Sequence, residues 1–172
     1  MPGRGHSCNV RQGEMIRMSH AVIADKIESQ IDQIVEDWTL AVRADPRIES
    51  DDNLSKPELV DHVPAIIEEI CALIRNGEKP DVRNSHEARV NVYTRLHQGY
   101  KGRDLIRELS LLRITLLDCL MEISLDKTLG LDAQHRHDAA TILNLYLDEE
   151  MRYAITVYGN SAPPKEPAGN GT

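Results

Sequence analysis

Phenylalanine is absent from this 172-residue chain, which holds a single Trp and five Tyr. Its core must therefore be built from Leu, Ile and Val, which reach native packing density without aromatic rings. The same shortage counts against haem and flavin pockets, which stack aromatic side chains on a cofactor. Positive charge is also scarce: 20 Lys and Arg stand against 28 Asp and Glu, for a net charge of −8. The basic residues are interspersed with acids, so no strongly clustered positive surface is available for phosphates, and nucleic acid is not an expected partner. Cysteine is limited to Cys8, Cys71 and Cys119, an odd number with no CxxC pair. Cys71 and Cys119 sit in apolar runs and read as small buried hydrophobes, which fits a reducing cytoplasm. No apolar run approaches about 18 residues, so membrane insertion is not expected. Residues 1–18 are basic but lack the apolar stretch of a secretory signal, and read as a disordered lead.

What remains is helical periodicity. Ser19 is a plausible N-cap for a run in which Ile23, Ile27, Ile31, Ile34, Trp38 and Ala41 follow three-and-four spacing, with Asp25, Glu28, Asp32 and Glu36 opposite them. Pro46 should end that helix near Ala44. Ser55-Lys56-Pro57-Glu58 reads as a capping box opening a helix to about Arg75, stopped by Gly77. Pro64 falls inside this stretch. It either kinks one helix, the reading preferred here, or opens a second helix after a short one over 55–62. Ser85 can cap a helix to Gln98, and Gly99-Tyr100-Lys101-Gly102 breaks it. Arg103 to about Lys127 is apolar nearly all round, as befits a helix buried on several sides. A last helix is expected from about Ala133 to Tyr158, followed by a disordered tail over 159–172 with linker composition. No stretch alternates at period two for long enough to be a strand. The expectation is one all-α domain over 19–158, a bundle of about five to six helices.

The segment Asn91–Leu117 carries the most informative charges. Glu108 and Arg113 lie among leucines, and Arg95 stands just before the glycine break. The three read as a partly buried ion cluster, since a carboxylate there is tolerable only with guanidinium partners; the plainer alternative is a solvated strip. His86 opens SHEAR, faintly like a kinase phosphoacceptor box, and His97 stands where a phosphotransfer bundle would expose a histidine. The same two residues are the candidate axial ligands of a haem. Each also has the bland reading of a surface histidine near a helix end. His135 and His137 are two apart on a helix and make a poor chelate, so no metal site is expected. No P-loop, GxGxxG or Ser-His-Asp order is present, and tandem acids such as Glu149-Glu150 read as solvated faces.

Three strings carry a family likeness: DWTLAVRADPRI (37–48), LVDHVPAIIEEI (59–70) and RLHQGYKGRDLIRELSLLR (95–113). With them, residues 20–158 resemble the RsbRD-type N-terminal domain that precedes bacterial histidine kinases and stressosome-type regulators. The resemblance implies a globin-like helical fold without haem, homodimerisation, and a sensory or protein-interaction role. One departure stands out. The family often carries a His four residues before the Arg matching Arg95, and here that residue is Asn91. The resulting expectation is a cytoplasmic, non-catalytic signal-transduction input module with no cofactor, acting as a homodimer on a kinase or stressosome-type regulator. Its long first and last helices would pair across the two-fold axis. Trp38, His62 and Tyr100 would line the interaction surface beside the ion cluster. The alternatives are a globin-like sensor for haem, another tetrapyrrole or a lipid, and a histidine phosphotransfer protein.

Overall fold

A computed structural model describes residues 18–50, 54–81 and 85–161. Among these the chain is all-α, with no strand. Helix α1 covers 18–28, α2 Ile31–Ala44, α3 Lys56–Val60, α4 Val63–Asn76, α5 His86–His97, α6 Gly102–Leu125 and α7 Ala133–Ser161; a 3₁₀ turn, Lys127–Leu129, precedes α7. The expected domain limits shift slightly, because Met18 and 159–161 are already helical. The rest of the proposed lead and tail, with Cys8, lies outside the described residues.

Several boundaries follow from local chemistry. Ser55 and Glu58 close the capping box reciprocally: Glu58 Oε2 accepts from the Ser55 backbone N–H at 2.8 Å, and the Ser55 hydroxyl accepts from the Glu58 N–H. Ser55→Ala should therefore cost about 1 kcal/mol of stability, read as a lower midpoint in urea with an unchanged slope. Gly77 ends α4 in the left-handed region at φ 66°, with Glu78 N–H donating back to the Leu73 carbonyl. Gly99 repeats that motif after α5 at φ 76°, where Tyr100 N–H reaches the Arg95 carbonyl. Ser85 caps α5 by accepting from Ala88 N–H at 3.1 Å.

Two expectations need correction. The first helix is not continuous: it breaks at Ser29–Gln30, and Met18 is already helical, so Ser19 is not its cap. Pro64 does not kink a long helix either. The chain turns at Asp61–His62, and α4 starts with the proline in its first turn, where a missing N–H leaves no bond unmade.

Helices α6 and α7 pack along each other at the centre, α2 lies on α6, and α4 and α5 lie on α7. The core between them is overwhelmingly aliphatic, with Ile23, Ile27, Ile66, Ile67, Ile70, Leu105, Leu112, Leu116 and Leu143 sealed from solvent. Cys71 and Cys119 are free and buried. Burial pushes the Cys71 thiol up to about 12 and Cys119 to about 11, which leaves both as inert hydrophobes at neutral pH. The loop 45–50 is strapped to α6. Asp45 accepts from Arg47 and, at 2.7 Å, from Arg107. Those guanidinium groups hold its carboxyl far below the usual range. Buried Asp104 accepts from the Ser50 hydroxyl at 2.6 Å and from the Ser50 and Glu49 N–H groups. Burial alone would raise Asp104, but these bonds and one from Arg103 outweigh it and hold the group low.

Candidate functional site

Arg95 lies on the inward face of α5 and is completely buried; Glu108, on α6, is 2 % exposed. Gly99 makes their meeting possible, because its left-handed turn folds α6 back towards α5. Glu108 Oε1 accepts from Arg95 Nη2 at 2.8 Å and from Nε at 3.3 Å. The same guanidinium caps a third helix. Its Nη1 donates to the Glu58 carbonyl and Nη2 to the Leu59 carbonyl, oxygens that α3 leaves without intrahelical partners at its C-terminal end. A last bond runs from Nη1 to Gln98 Oε1 at 2.9 Å. All five N–H donors of the fork are thus engaged. Lysine, with three donors and no fixed plane, could not reproduce the pattern. Trp38 adds a bond from Nε1 to the Glu108 backbone carbonyl at 3.2 Å, and the Arg95 guanidinium lies 5.2 Å from the Tyr100 ring centroid.

The proposed cluster is therefore smaller than expected. Arg113 is not in it: its Nη2 pairs with Asp148 on α7 and touches Met151 Sδ, a quarter exposed at the bundle surface. Positions 108 and 113 are five apart, which turns a helix by about 140° and sends the two side chains different ways. The proposed interaction surface also fails for two of its three members. Trp38 is 1 % exposed and Tyr100 3 %, so both support the ion pair from inside the core. His62 is half-buried in the α3–α4 turn, with Nε2 3.0 Å from Thr94 Oγ1 on α5 and 3.4 Å from Asp61.

His86 and His97 share the outer face of α5 with Arg89 and Tyr93 and line an open groove. They are eleven residues apart, about 16 Å along the axis, so one small ligand cannot engage both. His97 Nδ1 lies 2.7 Å from the Tyr93 carbonyl of its own helix. A haem ligated by either would have to sit on the surface of α5, opposite the packed side. Among the described residues no group of three or more His, Cys, Asp or Glu is arranged to hold a metal ion, and no helix is long and apolar enough to cross a membrane.

Two further polar clusters lie in the core and were not foreseen. Ser85, Tyr146 and Glu69 form one: the Tyr146 hydroxyl donates to Glu69 Oε2 at 2.7 Å, and the Ser85 hydroxyl donates to the same oxygen at 2.8 Å. Burial, with the charge of Glu150 adding to it, pushes the Tyr146 phenol far above its ordinary range. Asn91 and Glu150 form the other, with Asn91 Nδ2 donating to Glu150 Oε1 at 2.9 Å. A signal for Glu150 was present in the sequence, since it occupies the inward stripe between Leu147 and Ala154.

The arrangement is one of fastening. Among the described residues, charges close on one another across helix interfaces. No curated protein and no solved structure matches the chain. The family model of the RsbT co-antagonist protein rsbRD N-terminal domain does match, over residues 32–160. That span covers the helices from α2 to α7 but for one residue at each end, and the whole Arg95–Glu108 site. The chain belongs to the RsbRD N-terminal domain family, a family of regulatory signalling domains.

Proposed function

We propose that this domain is a non-catalytic, cytoplasmic input module of bacterial signal transduction that works as a homodimer and passes its state to a kinase or stressosome-type regulator by direct contact. Family membership supports the signalling role. The observation that carries the contact mechanism is an apolar stripe left open on α6. Ile114, Met121 and Leu125 are 48 %, 62 % and 72 % exposed, and half-buried Leu117 lies between them. Their three-, four- and seven-residue spacing is that of a helix seam awaiting a second helix. The seam is on α6, where the sequence had pointed to the first and last helices. Helix α6 also carries Glu108, so a change in the buried pair would be felt along the helix that bears the seam.

Sedimentation velocity over a hundredfold concentration range tests the reading. A dimer is expected for the natural chain, and a monomer of unchanged helicity for Met121→Glu. A natural chain that stays monomeric at the highest concentration overturns it. A phosphotransfer reading keeps one observation in its favour, the exposure of His86 and His97 on the outer face of α5. Phosphate uptake from a phosphorylated response regulator, lost in His86→Ala or His97→Ala, would replace the non-catalytic reading.

A further inference from the structure

Glu150, buried in the core, has neither a cation nor a backbone N–H as its hydrogen-bond partner. It is completely buried on α7, where Oε1 accepts a hydrogen bond from Asn91 on α5. Its second oxygen, Oε2, has no hydrogen-bond partner, and neither does Asn91 Oδ1. Both orphans are acceptors, in a place water does not reach. The pair lacks a donor, and an ionised carboxylate cannot supply one.

The surroundings add nothing that would stabilise a charge. Glu69 faces Glu150 from α4, Glu108 from α6, Arg95 from α5 and the Tyr146 phenol from its own helix. Of these Arg95 alone is positive, and its five donors are spent on Glu108, Gln98 and the α3 carbonyls. An ionised Glu150 would place a further negative charge among two existing carboxylates in a dry interior.

We infer that Glu150 and Asn91 form a proton-operated clasp: the carboxylic acid holds α7 to α5, and loss of its proton loosens that interface. In the acid form the Glu150 hydroxyl provides the missing donor, and acid and carboxamide can satisfy each other. Burial, partly offset by the Asn91 bond and reinforced by Glu108 and Glu69, pushes the group up to about 8 from an ordinary value of 4.5. The folded protein therefore keeps a proton that the unfolded chain has already released through the whole window between those values. Stability from this group is complete below the unfolded value and declines as pH rises towards 8, then levels off. Between pH 6 and pH 8 the ratio of folded to unfolded protein should fall about fifty-fold through this one group.

Glu150→Gln supplies the donor permanently and carries no charge. Unfolding of the natural protein and of this variant should be compared in urea at pH 6 and pH 8, because every other titrating group cancels in the difference. The expected result is a gap that widens about fifty-fold in favour of Glu150→Gln on going to pH 8; a gap that does not change overturns the clasp. Infrared spectra of the natural protein give a second reading that does not require the variant to fold. A protonated-carboxyl carbonyl band present at pH 6 should vanish above pH 8, and its absence at pH 6 overturns the proposal. Loosening itself is read by amide exchange corrected for intrinsic rate. Protection in α5 and α7 should drop from pH 6 to pH 9 in the natural protein only; protection that holds in both helices would refute the release.

Discussion

Arg95→Met should destabilise the domain by about 3–5 kcal/mol, because it strands the Glu108 carboxylate in the core and uncaps α3 at once. Breaking one partner of a buried pair is costly chiefly through the charge left behind, whereas replacing both partners with apolar groups is often close to neutral. Here the double replacement is the informative one. If the pair were isolated, Arg95→Met with Glu108→Leu would recover most of the loss. The geometry predicts only partial recovery, since the Glu58 and Leu59 carbonyls stay unpaired in both variants, at about 1–3 kcal/mol for each group fully buried without a partner. Urea unfolding of the four members of this cycle supplies the measurement, and full recovery would mean that the α3 bonds carry little weight. Arg113→Ala is the contrast. Its pair with Asp148 is at the surface, and a change within about 1 kcal/mol is expected.

Trp38→Ala is the second large effect, at about 3–5 kcal/mol for a cavity left by a large buried ring. Part of the loss is the bond to the Glu108 carbonyl, about 1 kcal/mol. Trp38→Phe keeps most of the ring volume and removes that donor, so it should cost clearly less than the alanine. Equal losses would show that packing plays no part. As the chain's single tryptophan, Trp38 also reports on the ion pair: Glu108→Leu should change its emission, while Arg113→Ala should leave it alone.

How far the sequence foretold these features depends on the range of the chemistry involved. Caps and stops were legible because they are local: Ser55 with Glu58, Ser85 with the N–H three residues on, and Gly77 and Gly99 at left-handed turns each need only their own neighbourhood. The Arg95–Glu108 pair was legible because an acid amid leucines demands a cation and the glycine break supplies the fold-back. Arg113 was misplaced by counting proximity in sequence where rotation about the helix decides. The expectation that Trp38 and Tyr100 line a surface beside the ion cluster fails although Trp38 lies on the apolar stripe of Ile27 and Ile34. Glu150 was hidden by its neighbour: beside Glu149 it looked like half of a solvated acidic pair, and only its register with Leu147 and Ala154 gives it away. Asp45 and Asp104 hold a loop to a distant helix, and no local pattern announces such a tie.

Helix α3 has five residues, too few to hold together alone in water, and its last carbonyls rest on a side chain more than thirty residues further along. Its formation therefore depends on α5 docking, which puts it in the same opening unit as α5 in the finished protein. Whatever prises Arg95 loose would melt that short coil first, exposing the stretch 54–62 to proteases while the α6–α7 pair still stood.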